Sequence, residues 1–249
     1  TDDRLPLEFS APLSLYVDTT PLNDRIMKGY KTQEFPALAQ NGAANFDRAQ
    51  ARFDLGMAYL AKDLRLEAVT QFEKALAADP AYIPARLEMG KTQLSLNLPL
   101  KAVANFEAIL RQTPGHAEAT YQLGLAYRAQ QMPERAVEYL SKAVALSPEE
   151  TAYRTRLAAL LPELGRLDEA IAQYRAAQAL KPKDPSILEG LGTAYLQQGR
   201  LEVAIQAFKE AMGPDSGREN RYSYHLGRAY LRAKRFGEAV EQLLLATRY

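Results

Sequence analysis

The side chains able to do chemistry are few and scattered. The only two histidines are His116 and His225. Neither has a second His four residues away or an acidic cluster beside it, so neither has the spacing of a metal site. Met89-Gly90-Lys91-Thr92 has the ending of a phosphate loop, but Ala85 stands where that loop needs its first glycine. No strand pattern leads into it either, and the loop is rejected. Glu149-Glu150 reads as helix-start charge in water. The chain has no cysteine, which removes thiol catalysis, disulfides and thiolate metal sites together. A Gly-x-Ser-x-Gly elbow is absent from the sequence as well. No catalytic or metal-binding set emerges, and no cofactor is called for.

The chemistry that remains is recognition. Arg221, Arg228 and Arg232 are spaced by seven and four residues, which returns them to one side of a helix, with Tyr224 beside them. Guanidiniums so placed can pair with carboxylates of an acidic partner, or they can simply solvate a helix. The chain as a whole carries 31 basic and 30 acidic side chains, a net charge of +1. That balance argues against a nucleic-acid or membrane-surface partner. Hydrophobic residues at 47% and charged residues at 24% are ordinary for a folded protein. No apolar run reaches the roughly 18 residues of a membrane span.

The elements that would position these groups announce themselves by a period. Alanine recurs at Ala68, Ala102, Ala136, Ala170 and Ala204, each 34 residues after the last, and at Ala239 after 35. Other landmarks keep step. In residues 49–82 they are Leu55, Gly56, Tyr59, Ala68, Phe72, Ala75 and Pro80. In 117–150 they are Leu123, Gly124, Tyr127, Ala136, Leu140, Ala143 and Pro148. The same places recur in 83–116, 151–184, 185–219 and 220–249, with Ala158 at the eighth position of the fourth copy and Gln93 at the eleventh of the second. Small residues at positions 8 and 20 fit where two helices approach closely, because an added methylene in a packed interface costs about 1–3 kcal/mol. Large residues at positions 7, 11 and 24 fall at helical spacing. Proline at position 32 ends the second helix.

This pattern resembles the tetratricopeptide repeat family, whose module is a 34-residue helix–turn–helix. The resemblance covers residues 49–249. It implies an all-α fold, six helix pairs in a right-handed superhelical solenoid, with a non-repeat arm over residues 1–48. It also implies a non-catalytic scaffold or adaptor that binds a protein partner, either a peptide segment or a subunit of a larger complex. In this family, positions 2, 5, 9 and 12 of each first helix line the concave face. Here they place Phe53, Met57 and Leu60 in the first copy, Leu87, Lys91 and Leu94 in the second, and Tyr121 and Arg128 in the third. The fourth and fifth copies offer small and polar groups, among them Ala152, Thr155, Ala159, Glu189 and Thr193. The sixth adds Arg221, Tyr224 and Arg228, with Arg232 adjacent. The apolar group at the N-terminal end is either a partner site or core already covered. The family's clamp for chaperone C-termini is not implied: Lys91 and Arg156 suit it, but its asparagines are missing.

Two departures and two ends complete the reading. Position 4 is Arg52, Arg86 and Arg154 in three copies, expected to lay their stems on the interface and their charges in water. Residues 213–217, Gly-Pro-Asp-Ser-Gly, predict a longer loop in the fifth copy. In the arm, prolines at 6 and 12 break any early helix, 13–17 alternates weakly, and short helices are expected near 21–29 and 36–40. Asn45 is placed as the cap of the first repeat helix. The arm is a cap on the first copy, a docking arm or a disordered segment without function. At the other end Leu243-Leu244-Leu245 precede Tyr249 without a polar helix after them. A partner, a second copy or further residues should cover them, which leaves end-to-end self-assembly as an alternative function. The missing initiator Met before Thr1 fits an exported chain whose leader was removed, slightly favoured, and fits a trimmed chain too.

Overall fold

The computed structural model of the chain describes residues 42–213 and 219–247. The expected features at 1–41 and 214–217 lie outside the described residues. The chain divides into two compact units, with the boundary between Pro114 and Gly115.

The first unit contains α1 (Gly42–Ala61), α2 (Arg65–Ala78), α3 (Ile83–Ser95) and α4 (Pro99–Gln112). The second contains α5 (Ala117–Ala129), α6 (Pro133–Leu146), α7 (Thr151–Leu160), α8 (Leu167–Leu180), α9 (Pro185–Gln198), α10 (Leu201–Met212), α11 (Glu219–Arg232) and α12 (Phe236–Ala246). Among the described residues there is no strand, and the fold is an all-α helical repeat. The helices pair in sequence: α1 with α2, α3 with α4, and so on to α11 with α12.

One turn closes every pair. At position 15 the backbone is left-handed in all six copies: Asp63, Asn97, Gln131, Gly165, Gly199 and Lys234. The next amide then reaches back to the carbonyl at position 11, as Leu64 does to Tyr59 at 2.9 Å and Arg235 to Tyr230 at 2.9 Å. The position-15 amide bonds position 12, as Gln131 does to Arg128 at 2.9 Å. This is the Schellman closure, which satisfies carbonyls that the first helix leaves open at its end.

The small residues sit where the period predicts. Ala68, Ala102, Ala136, Ala170, Ala204 and Ala239 are all at 0% exposure. At position 8, a Cβ added to Gly192 would lie 2.6 Å from Phe208 Cε1 at position 24, so the ring occupies the space that a side chain would need. In the fourth copy Ala158 holds position 8 and Tyr174 turns to the next copy instead. A Cβ on Gly190 would meet Tyr174 Cε1 at 2.3 Å. Gln93, standing where four of the other five copies carry Tyr, is buried and accepts a 2.9 Å hydrogen bond from Asn105.

Two expectations are corrected, and one helix is cut short. The first helix starts at Gly42, so Asn45 lies inside it rather than capping it. Residues 42–48 contain no proline, and Phe46 packs edge-on against Tyr82 at 5.6 Å, which extends the helix seven residues ahead of position 1. The position-4 arginines do not leave their charges to water. Arg86 donates to the Pro80 carbonyl at 2.7 Å and Arg154 to that of Pro148 at 2.9 Å, so each secures the turn before its own helix. Arg52 and Arg154 also donate to Gln71 and Gln173, nineteen residues on in each case. Finally, Pro162 lacks an amide proton, and α7 accordingly stops at Leu160 and finishes as a 3-10 turn, Leu161–Leu164, closed by Gly165.

Candidate binding groove

In the second unit the first helices of successive pairs leave an open groove of about 960 Å³. Its walls come largely from positions 2, 5, 9 and 12: Tyr121 of α5, Ala152, Thr155 and Ala159 of α7 with Pro162 just after it, Ser186, Glu189 and Thr193 of α9, and Arg221 of α11. The middle of the groove is open because Ala152, Thr155, Ala159, Ser186 and Thr193 are short. Tyr174 lines it too, held by burial and by its fit over Gly190. Burial, reinforced by the nearby Glu189 charge, raises the Tyr174 phenol above its usual pKa and keeps it neutral.

The charges are arranged in pairs. Glu189 Oε1 lies 2.6 Å from Arg221 Nη2 and 3.4 Å from His225 Nε2. His225 is stacked on Phe208 at 5.2 Å, and burial pushes its pKa below the ordinary histidine value. Glu189 opposes that shift, while Arg221 and Arg228 add to it. At the other edge Arg128 meets Glu163 at 3.2 Å. Tyr121 stacks on Tyr153 with ring centres 4.4 Å apart.

The residues singled out from the sequence fall into two groups. In the first unit, Phe53 packs against Phe72 and Tyr82 at 5.8 and 5.7 Å, and Leu87 is buried. These two belong to the interior of their unit, because a first-helix residue at position 5 touches its neighbours when it is large. Leu60 and Leu94 are half-buried, Met57 is exposed, and Lys91 pairs with Glu88 at 2.7 Å inside α3, with no phosphate loop around it. In the second unit Tyr121 and Arg221 line the groove and Arg128 holds one edge. Tyr224 is exposed with Arg228 over its ring at 5.6 Å. Arg232 does not extend a free basic face: its guanidinium donates to the Leu196 carbonyl. The groove's centre, at Thr155, Thr193 and Glu189, carried only one sequence signal, the run of short side chains in the fourth copy.

His116 and Glu150 cap helices, accepting from the amides of Ala119 and Ala152. Among the described residues no cluster of three potential metal ligands occurs, and no helix is long and apolar enough to cross a membrane.

Comparison with known proteins agrees with this architecture. The tetratricopeptide repeat family matches residues 49–82, 87–151 and 155–219. The chain belongs to the tetratricopeptide repeat family. Among solved structures it is similar to the MamA protein, at 26% identity and a TM-score of 0.61, over 67% of this chain and 91% of that one. Pseudomonas aeruginosa pilF shares the fold at a TM-score of 0.68 and 18% identity, over 82% of this chain and 92% of that one. YrrB, described as a TPR protein with an unusual peptide-binding site, shares it at 0.57 and 23%, over 74% and 90%. No curated protein shows a significant match to the sequence.

Proposed function

We propose that the chain is a non-catalytic scaffold that holds an extended segment of a protein partner in the groove of its second unit. The observation that carries this reading is the groove itself: about 960 Å³ of open space whose middle is walled by the short side chains of Ala152, Thr155 and Ala159 on α7 and Ser186 and Thr193 on α9. Space of that size fits several residues of a peptide. Tyr121 and Tyr174 supply flat apolar contact, while Glu189, Arg221 and Thr155 supply polar partners. The Glu189–Arg221 pair matters for specificity, because a ligand charge that enters must compete with a pair already made. The similarity to YrrB supports testing for a peptide ligand; at 23% identity it carries the fold and no more.

A random peptide library panned on the full chain tests the reading. Sequences enriched on the wild type should fail to be retained by Ala159→Arg and Thr155→Arg, whose long side chains fill the groove. Equal retention by both variants, each with wild-type helix content, would sink it.

A further inference from the structure

The last described helix carries an apolar stripe that faces water. Phe236, Val240 and Leu244, each four residues after the one before, are 62%, 57% and 57% exposed. They occupy repeat positions 17, 21 and 25. In the two preceding copies position 21 is Ile171 and Ile205, both buried. Those two residues share an apolar cluster with Leu191 of α9 and Leu226 of α11. Positions 17 and 21 of a second helix are therefore the seat for the next copy's first helix. Position 25 adds to the stripe. It is Glu73, Glu107, Ser141, Arg175 and Lys209 in five copies, and Leu244 only in the sixth. At the interior junctions this position stays polar and, at Glu73, Ser141, Arg175 and Lys209, exposed, so Leu244 widens the apolar stripe beside the seat rather than forming part of it.

What fits this seat is defined by the interior junctions: a first helix with apolar residues at positions 3, 7 and 10. In α9 and α11 these residues are buried by the preceding second helix. In α1 the same positions, Ala51, Leu55 and Ala58, are only half-buried. The chain thus carries both halves of its own repeat junction, each incompletely covered. From this complementarity we infer that a second copy of the chain docks head to tail, α1 of one on α12 of the other. The contact is heterologous, so it adds copies stepwise as concentration rises. It uses no groove side chain and stands independently of the peptide reading.

Sedimentation velocity of the full 249-residue chain over a concentration series tests the inference. Wild type should grow in average mass with concentration. Val240→Glu with Leu244→Glu, both on exposed positions, should lose that growth. Ala51→Glu should lose it too, each with wild-type helix content by circular dichroism. The two variants mixed should form one-to-one dimers and nothing larger, because each keeps the face that the other lacks. Ala159→Arg should associate as wild type does. A wild-type chain that stays monomeric at every concentration overturns the inference. So does an Ala51→Glu chain that associates undiminished, which would mean that α12 pairs with α12.

Discussion

Glu189 of α9 and His225 of α11 face each other at 3.4 Å, and Arg221 holds the same carboxylate oxygen at 2.6 Å. The imidazole is half-buried against Phe208, and desolvation keeps its pKa below the usual value in spite of that carboxylate. The sign of the consequence follows. A base with a lowered pKa binds its proton more readily in the unfolded chain, so its neutral form contributes stability above pH about 6.5 that is lost as the pH falls through the folded value. Denaturant midpoints between neutral and mildly acidic pH should therefore fall less in His225→Gln than in wild type. Glu189→Gln should lower the His225 pKa further, readable by the ring-proton shifts in NMR. An unchanged or higher pKa in that variant would show that the carboxylate does not reach the imidazole.

The closing turns give a second prediction. Gln131 and Lys234 hold left-handed backbone, at φ of 60° and 59°, in a place where two copies use Gly165 and Gly199. An L side chain there costs roughly 1–2 kcal/mol, and glycine returns about half of that to unfolded-chain entropy. Gln131→Gly and Lys234→Gly should each stabilise by about 0.5–1 kcal/mol. Gly199→Ala should destabilise by about 1 kcal/mol or more. Thermal melts of the three variants check the ordering, and melts that move in the opposite direction would mean that the turns tolerate any residue.

Close helix approach gives a third. Ala136 and Ala170 are fully buried, so replacing either with Leu should destabilise by about 1–3 kcal/mol through overpacking. Gly190→Ala should act differently, because the ring that it displaces, Tyr174, lines the groove. Peptide retention should drop in that variant by more than its melting temperature would explain. Retention that simply follows stability would take Tyr174 out of the binding surface.

Much of the fold was legible because its determinants are small residues at fixed intervals. Ala68 to Ala239 mark helix crossings whatever surrounds them, and the chain repeats that statement six times. The groove was less legible because side-chain size is ambiguous in one dimension. Phe53 and Leu87 look like anchors in the sequence, yet large residues at position 5 fill the space between neighbouring helices. Thr155 and Ala159 look featureless, yet their shortness makes the opening. The partners of the basic stripe were hidden for another reason. That Arg221 meets Glu189, and Arg232 the Leu196 carbonyl, depends on contacts between residues more than thirty positions apart, which helix spacing does not reveal.

That last contact separates two arginines that look alike in the sequence. Arg232 reaches across to the Leu196 carbonyl at the end of α9, while Arg228 lies over the exposed ring of Tyr224. Arg232→Ala leaves a carbonyl at a helix end without its charged donor, which should cost about 1 kcal/mol at this partly exposed site. Arg228→Ala should stay within about 0.5 kcal/mol of wild type, as surface substitutions usually do. Peptide capture should divide the other way. Reversing Arg228 to Glu alters the charge offered beside Tyr224 without touching the frame, so it should weaken capture of acidic sequences most at low salt. Chemical denaturation and salt-dependent retention, measured on the same preparations, decide the matter. Equal melting of the two alanine variants would remove the Arg232 contact from the account, and salt-independent capture by Arg228→Glu would leave that residue only a role in solubility.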